Sequence, residues 1–310
     1  MKVLVSGGTG LVGRYVVDGL LRAGHEVLVG GRSPSISLLV EEMAGRPVGD
    51  FPNTPSFTNL TLDPTLDQRE TFAGIDAFIH LAFDHLPGRY RGGEGDDPAR
   101  FRRLNHDGSV KLFEDAKAAG VKRCIFLSSR AVYDGRPAGS VLREEMPLSP
   151  DSLYGQVKLE SEQALAALSS SSFITTSLRA TGVYGHHRPN KWDAMFEDYR
   201  AGKMVASRAG SEVHGDDLAA AIRLLLGRNA DVVRGKAFNV SDMIVDTHEI
   251  LSLYAQVSGV RHPAPAPADH ASVNAMDTAR LKALGWQPGG RSRLEETVQS
   301  LARPIGFSRP

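Results

Sequence analysis

The chain has 310 residues, and its 41% hydrophobic and 23% charged content is ordinary for a folded globular protein. Because 36 basic residues balance 36 acidic ones, no overall positive field favours nucleic acid or an anionic membrane. A single cysteine, Cys124, excludes an intramolecular disulfide and a cysteine-based metal cluster, and we predict no metal site. No apolar segment approaches the roughly 20 residues that span a bilayer. Since no signal peptide precedes the first strand, we expect a cytoplasmic protein.

The N-terminal segment has the pattern of a phosphate-binding turn. The apolar residues 3–5 are typical of a strand buried on both faces, and Gly7, Gly10 and Gly13 follow directly. A helical pattern begins at Leu11, so the glycines lie at a helix N-terminus, where unpaired N–H groups and the helix dipole favour an anion. The alternative is an ordinary glycine-rich turn of a flavodoxin-like domain.

The following residues alternate between strand and helix patterns. Strands are predicted at residues 24–29, 58–62, 76–82, 123–128 and 173–179, and helices at 35–44, 63–72, 99–119 and 150–169. Residues 45–57 are predicted to form a loop, and residues 84–98 a mobile surface loop that could act as a lid. This alternation predicts an α/β fold with a doubly wound (Rossmann) parallel sheet. Ligands of such sheets bind at the carboxyl ends of the strands.

From residue 182 the alternation weakens, which suggests a second structural unit. We assign residues 1–181 to a dinucleotide-binding domain and residues 182–310 to a smaller, partly helical substrate-binding part. A β-like run at residues 237–240 suggests that residues 236–258 return to the first domain.

Tyr154 and Lys158 share one face of a predicted helix because they are four residues apart. A tyrosine hydroxyl has a pKa of about 10, and a nearby ammonium lowers it towards the range in which it can exchange protons. Ser128 and Ser129 end a predicted strand 25 residues upstream, where a hydroxyl could contact a substrate oxygen. An isolated Tyr-x-x-x-Lys is more often an ordinary exposed pair, so the combination of motifs carries the interpretation.

In their order along the chain, these motifs resemble those of the extended short-chain dehydrogenase/reductase family, the NAD-dependent epimerase/dehydratase group. The motifs are Gly-Gly-Thr-Gly-Leu-Val-Gly (7–13), Asp-Ala-Phe-Ile-His-Leu-Ala (76–82), Asn-His-Asp-Gly (105–108), Leu-Ser-Ser-Arg-Ala-Val-Tyr (127–133), Tyr-x-x-x-Lys (154–158), Leu-Arg-Ala-Thr-Gly-Val-Tyr-Gly (178–185), Val-His-Gly-Asp-Asp-Leu-Ala (213–219), Phe-Asn-Val (238–240) and Leu-Gly-Trp-Gln-Pro (284–288). The resemblance covers almost the whole chain.

The resemblance implies an NAD(P)-dependent oxidoreductase that acts on a hydroxyl or carbonyl group of a small polar or sugar-like substrate. Tyr154 would be the general acid/base and would also contact the cofactor, and Lys158 would lower its pKa and hold the nicotinamide ribose. Ser129 would orient the substrate oxygen. The cofactor-binding residues implied in addition are Gly7, Gly10 and Gly13 at the pyrophosphate, Leu11 and Val12 through their N–H groups, Asp63 near the adenine, and Leu81 and Ala82 along the cofactor.

Three departures from the family pattern refine this expectation. Relatives that bind NAD usually carry an acidic residue after the second strand, whereas this chain has Gly31 and Arg32. Because a guanidinium matches a phosphate, Arg32 favours NADP, with NAD as the alternative. Arg130 and Ala131 stand where 4,6-dehydratases have an acidic pair, which disfavours dehydration. Nucleotide-sugar relatives usually have a longer segment before the Val-His-Gly-Asp-Asp motif, with an arginine that reaches the substrate diphosphate. Here the segment is short and Arg208 is the candidate, which disfavours a nucleotide-sugar substrate.

Two alternative functions stay open at this point. The first is a nucleotide-sugar epimerase with tightly bound NAD, and the second is a non-catalytic protein that senses NADP. The family often forms a homodimer through helices that would correspond to residues 99–119 and 150–169. No partner other than the small-molecule substrate and such a second copy is expected.

Overall fold

The computed structural model describes residues 1–32, 54–86 and 92–303. The helix predicted at 35–44 and most of the loop predicted at 45–57 lie outside these residues, as does part of the predicted lid.

Within the described residues, a seven-stranded parallel sheet forms the centre of the fold. Its order is β10-β7-β5-β4-β1-β2-β3, with the topological switch beside β1 that doubly wound sheets share. The strands are β1 (Lys2–Ser6), β2 (Glu26–Gly31), β3 (Ser56–Asn59), β4 (Ala77–His80), β5 (Arg123–Ser129), β7 (Ile174–Ala180) and β10 (Lys236–Val240). The predicted doubly wound α/β fold is confirmed.

Helices cover both faces of this sheet. They are α1 (Leu11–Arg22), α2 (Pro98–Arg102), α3 (Gly108–Ala118), α4 (Leu153–Ala167), α5 (Asp193–Arg200), α6 (Gly215–Gly227), α7 (Ala230–Val233), α8 (Thr247–Ser258), α9 (Ala279–Lys282) and α10 (Gly290–Ala302). A π-helical turn, Arg103–Asp107, joins α2 to α3. Among the described residues, no helix is both long enough and apolar enough to cross a membrane.

The apolar character of β1 follows from burial on both faces. Val3 and Val5 pack with Leu20 of α1 on one side of the sheet. Leu4 points the opposite way and packs with Phe113 of α3 and Leu165 of α4. Successive side chains of a strand alternate between faces, so a strand covered on both sides needs a continuous apolar run.

The C-terminal part contains a small sheet in the order β11-β9-β8 and an apolar cluster of its own. These strands are β8 (Gly182–Tyr184), β9 (Ala209–His214) and β11 (Met243–Asp246), and a two-stranded sheet joins β6 (Val141–Leu142) to β12 (Ala275–Met276). β10 pairs with β7 in the central sheet, whereas β11 pairs with β9. The domain boundary at residue 182 stays a prediction.

The helix predicted after Asp63 is wrong, because only the 3-10 turn Arg69–Phe72 forms in this segment. One carboxylate oxygen of Asp63 accepts hydrogen bonds from both the backbone N–H and the hydroxyl of Thr65. The amide of Gln68 bonds both backbone groups of Thr61. These local side-chain bonds give the backbone an alternative to the helix.

A buried ion pair joins the central sheet to α4. Arg179 of β7 donates from Nε and Nη2 to the Glu162 carboxylate at 2.8–3.1 Å, and both side chains are 6% exposed. The Arg179 Nη1 also donates to the hydroxyl of Tyr133 at 2.7 Å. Removing one member of a buried pair leaves the other charge unpaired, which costs more than the pair itself contributes.

We therefore expect Arg179→Met to lower the free energy of unfolding by about 3–5 kcal/mol, measured by urea denaturation. The double variant Arg179→Met/Glu162→Leu should lose clearly less, because it leaves no unpaired charge. As a control, Arg69→Met, which removes an exposed arginine, should leave the urea midpoint unchanged. Equal losses for the single and double variants would contradict the importance of this charge pair.

Candidate active site

A cleft of about 1030 Å³ lies at the carboxyl edge of the central sheet and is bordered by the small sheet. Its walls come from the residues that follow β1, β2, β4, β5 and β7, from the N-terminal half of α4, and from β8 and β9. The predicted site residues that line it are Gly7, Gly10, Leu11, Val12, Gly13, Arg32, Leu81, Ala82, Ser129, Tyr154 and Lys158. The position at the strand ends is the one that ligands occupy in doubly wound sheets.

The glycine turn is closed so tightly that side chains are excluded. Gly7 has a φ of +69°, and a Cβ there would lie 2.8 Å from the backbone nitrogen of Ala82. A Cβ on Gly13 would lie 2.1 Å from the carbonyl oxygen of Gly7. Gly10 forms the N-cap of α1 and offers no capping side chain, so the first N–H groups of α1 face the cleft. This cradle fits the pyrophosphate of a dinucleotide.

Hydrogen bonds to buried side chains fix the backbone of Leu81 and Ala82. The Ser6 hydroxyl accepts hydrogen bonds from both N–H groups, at 3.2 and 3.3 Å. It also contacts Nδ1 of His80 at 2.7 Å, and Nε2 of His80 contacts the Ser109 hydroxyl at 2.8 Å. Complete burial lowers the pKa of His80 to about 3, so the ring is neutral and serves as a structural bridge.

Ser129, Tyr154 and Lys158 line one stretch of the cleft. The Ser129 hydroxyl accepts a hydrogen bond from the backbone of Ala131 at 3.1 Å, which orients it at the end of β5. The Lys158 ammonium donates to the Leu127 carbonyl at 2.8 Å. Phe83 packs edge-on against the Tyr154 ring, with 5.2 Å between centroids. The predicted residues therefore come together, while their roles stay predictions.

Lys158 is buried more deeply than a sequence pattern could indicate. Its ammonium lies 4.5 Å from the Phe83 ring centroid and 4.7 Å from that of Phe126. Burial lowers the pKa of Lys158 to about 7, and the charge of Glu162 opposes part of that effect. The side chain can therefore gain or lose its charge near neutral pH, where a charged lysine would stabilise a nearby phenolate.

The cleft also contains a buried hydroxyl available to a ligand. Ser128 Oγ is buried and has no hydrogen-bond partner among the described residues. A buried polar group without a partner is costly, and a polar ligand atom could satisfy it.

At the end of the cleft beside β2 and β3, Gly31, Thr61 and Leu62 contribute to the wall together with Arg32. Asp63, predicted near the adenine, is not among the lining residues, because its carboxylate turns to Thr65 instead. The residues before Asp63 therefore border this end.

At the opposite end the walls are polar. Lys191 forms an ion pair with Glu212, and both residues line the cleft together with Arg208. His186, His214 and Asp216 form a separate cluster whose ligand atoms lie within 4.8 Å of one another. Arg293 forms an ion pair with Asp216 at 3.1 Å, and Nδ1 of His214 accepts the Asp216 N–H. Two of the three members, His214 and Asp216, therefore have hydrogen-bond or ion-pair partners within the protein.

Several lining residues were not identified from the sequence. Phe83 and Asp84 follow β4, so the rule that ligands meet strand ends could have extended the site beyond Ala82. Lys191 and Glu212 had no comparable signal, because their contact depends on how the small sheet meets the cleft.

Curated proteins that are similar to this chain in sequence include UDP-glucose 4-epimerases. UDP-glucose 4-epimerase 2 of Oryza sativa subsp. japonica is 36% identical over 161 residues, which cover 51% of this chain and 38% of the rice protein. A UDP-glucose 4-epimerase of Corynebacterium glutamicum is 26% identical over an alignment of 329 residues. The alignment covers 93% of this chain and 91% of the relative. The chain spans about two fifths of the length of the first curated relatives it matches.

Among solved structures, the UDP-glucuronic acid 4-epimerase from Bacillus cereus in complex with UDP-glucuronic acid and NAD has the same fold. The TM-score is 0.78 at 19% identity, over 97% of this chain and 98% of that one. Residues 3–241 match the family model described as the NAD dependent epimerase/dehydratase family. The chain belongs to the NAD-dependent epimerase/dehydratase family.

Proposed function

We propose that the protein is an NAD(P)-dependent enzyme that interconverts a secondary hydroxyl and a carbonyl group on a polar, sugar-like substrate. The observation that carries this proposal is the presence of Ser129, Tyr154 and Lys158 in the cleft that also contains the glycine cradle. A nicotinamide dinucleotide bound in that cradle would supply or accept the hydride.

The chain's own residues handle the proton. Tyr154 exchanges it with the substrate oxygen, and Ser129 donates a hydrogen bond that keeps this oxygen next to the phenol. In its charged form Lys158 favours the phenolate, and its bond to the Leu127 carbonyl fixes the ammonium in place. The rings of Phe83 and Phe126 keep water away from the ammonium.

Arg32 supports NADP as the preferred cofactor, since a guanidinium at the end of β2 suits the 2′-phosphate. The protein would bind the dinucleotide through the backbone N–H groups of Leu11 and Val12, which line the cleft at the start of α1. Leu81 and Ala82 would contact its middle. Asp63 would contribute indirectly, because Thr61 and Leu62 just before it line the adenine end of the cleft.

A nucleotide-sugar 4-epimerase is the second candidate, and the similarity to UDP-glucose 4-epimerases favours it. An epimerase uses the same proton and hydride transfers twice, so the same three residues would serve. To separate the candidates, the protein is incubated with UDP-galactose and either NADP⁺ or NAD⁺. Formation of UDP-glucose without net cofactor reduction identifies the epimerase, and accumulation of reduced cofactor identifies a dehydrogenase.

The role of Tyr154 predicts that Tyr154→Phe lowers kcat by at least about 10²-fold and leaves cofactor affinity unchanged. Turnover is measured with UDP-galactose, and affinity by NADPH and NADH fluorescence titration. Tyr254→Phe removes a hydroxyl from the apolar cluster of the C-terminal part, does not alter the cleft lining, and is the matched control. Full activity of the Tyr154→Phe variant would disprove the proposed chemistry.

The burial of Lys158 predicts a pH-dependent stability difference. With its pKa lowered to about 7, the folded protein binds fewer protons than the unfolded chain between pH 7 and about 10, so wild-type stability rises with pH in this window. Lys158→Met should therefore be more stable than wild type near pH 6, by on the order of a few kcal/mol, and lose this advantage towards pH 10.

Urea denaturation of both proteins from pH 6 to 10 measures this difference. Lys236→Met, which removes an exposed charge, corrects for the change in net charge. A stability difference that stays constant over this pH range would show that Lys158 does not carry a strongly lowered pKa.

A further inference from the structure

An ion pair crosses the cleft above the glycine turn. In the central sheet β1 lies between β2 and β4, so the residues after β2 and β4 flank the turn that follows β1. Arg32 follows β2 directly and Asp84 follows β4, and both line the cleft. Their side chains meet, with 3.2 Å between the Arg32 Nη1 and the Asp84 Oδ2. The carboxylate that faces Arg32 therefore comes from a different strand end.

Asp84 is the fixed partner of this pair. Its backbone N–H donates to Oδ1 of Asn105 at 2.6 Å, and its carbonyl accepts from Nδ2 of Asn105 at 2.7 Å. Asn105 is buried and also donates to the Phe101 carbonyl at 3.0 Å. The Asp84 side chain is 16% exposed, whereas that of Arg32 is 76% exposed. Arg32 can thus change partner at low cost, while Asp84 stays in place.

A second guanidinium shares the same carboxylate. Arg100 Nη1 lies 2.8 Å from Oδ1 of Asp84, so the two oxygens of Asp84 contact two different arginines. Arg100 therefore already supplies Asp84 with a counter-ion if Arg32 leaves. Any additional anion at Arg32 would nevertheless sit close to the Asp84 negative charge and be repelled by it.

We propose that Asp84 determines the cofactor preference by competing with the cofactor 2′-phosphate for Arg32. This inference rests on the proposed function and specifies how that site discriminates between its two cofactors. The 2′-phosphate of NADP binds the Arg32 guanidinium and is repelled by the Asp84 carboxylate. The ribose of NAD carries no phosphate, so its binding depends on neither interaction. Asp84 thereby weakens NADP binding selectively and keeps NAD usable despite the arginine at the end of β2.

The test is a double-mutant cycle on cofactor affinity. Dissociation constants for NADPH and NADH are measured by fluorescence titration for wild type, Asp84→Asn, Arg32→Gln and the double variant. Asp84→Asn should tighten NADPH binding by roughly three- to tenfold and leave NADH binding within a factor of two. In the Arg32→Gln background the same substitution should favour NADPH clearly less, because the competed group is gone and only the direct repulsion by Asp84 is relieved.

Asp67→Asn is the matched control, since Asp67 pairs with Arg69 and does not line the cleft. It should change neither dissociation constant. If Asp84→Asn does not fold, Arg100→Gln replaces it: Asp84 is then left with Arg32 alone, and NADPH binding should weaken selectively.

The inference is overturned if Asp84→Asn leaves the ratio of the two dissociation constants unchanged, or if the gain in preference for NADPH is as large without Arg32 as with it. It is also overturned if Arg100→Gln affects both cofactors equally. If the wild type binds neither NADPH nor NADH, the proposed function itself is contradicted. The two failures are therefore distinguishable.

Discussion

The close approach of the glycine turn to the end of β4 is the constraint on which the site depends. Gly7 leaves no room for a side chain against Ala82, and Gly13 leaves none against the Gly7 carbonyl. The turn can therefore lie directly on the neighbouring strand end, with the first N–H groups of α1 open to the cleft. The Ser6–His80–Ser109 bridge holds the other side of this contact. A larger residue at Gly13 would separate α1 from β1 and remove the anion cradle itself.

Around this cradle, α4 connects the proposed chemistry to the interior of the protein. Tyr154, Lys158 and Glu162 follow one another at intervals of four residues and share one side of the helix. Tyr154 and Lys158 border the cleft, whereas Glu162 is paired with Arg179 of β7. The ion pair anchors the helix to the sheet, and its carboxylate also affects the charge of Lys158. Fold stability and the electrostatics of the site are thus coupled through one helix.

Short sequence patterns were sufficient to predict much of the fold and of the candidate site. The glycine turn, the Tyr154–Lys158 spacing and Ser129 at a strand end depend on short segments, and the structure brings them to one cleft. Contacts between distant segments were not predictable in the same way. The Arg32–Asp84 pair depends on β1 lying between β2 and β4, and the depth of Lys158 depends on Phe83 and Phe126. The helix expected after Asp63 failed because side-chain bonds of Asp63 and Gln68 outcompeted a helical backbone.

The way in which the chain passes from the central sheet to the small sheet has a mechanical consequence. Two adjacent segments make this passage, between β7 and β8 and between β10 and β11, and the Thr181 N–H donates to the Val240 carbonyl beside it. The Asp242 N–H in turn donates to the Glu212 carbonyl of β9. Because two segments connect the sheets and hydrogen bonds join them, rotation of the small sheet relative to the central sheet is resisted. This connection favours small sliding movements between the two sheets over a wide rotation of one against the other.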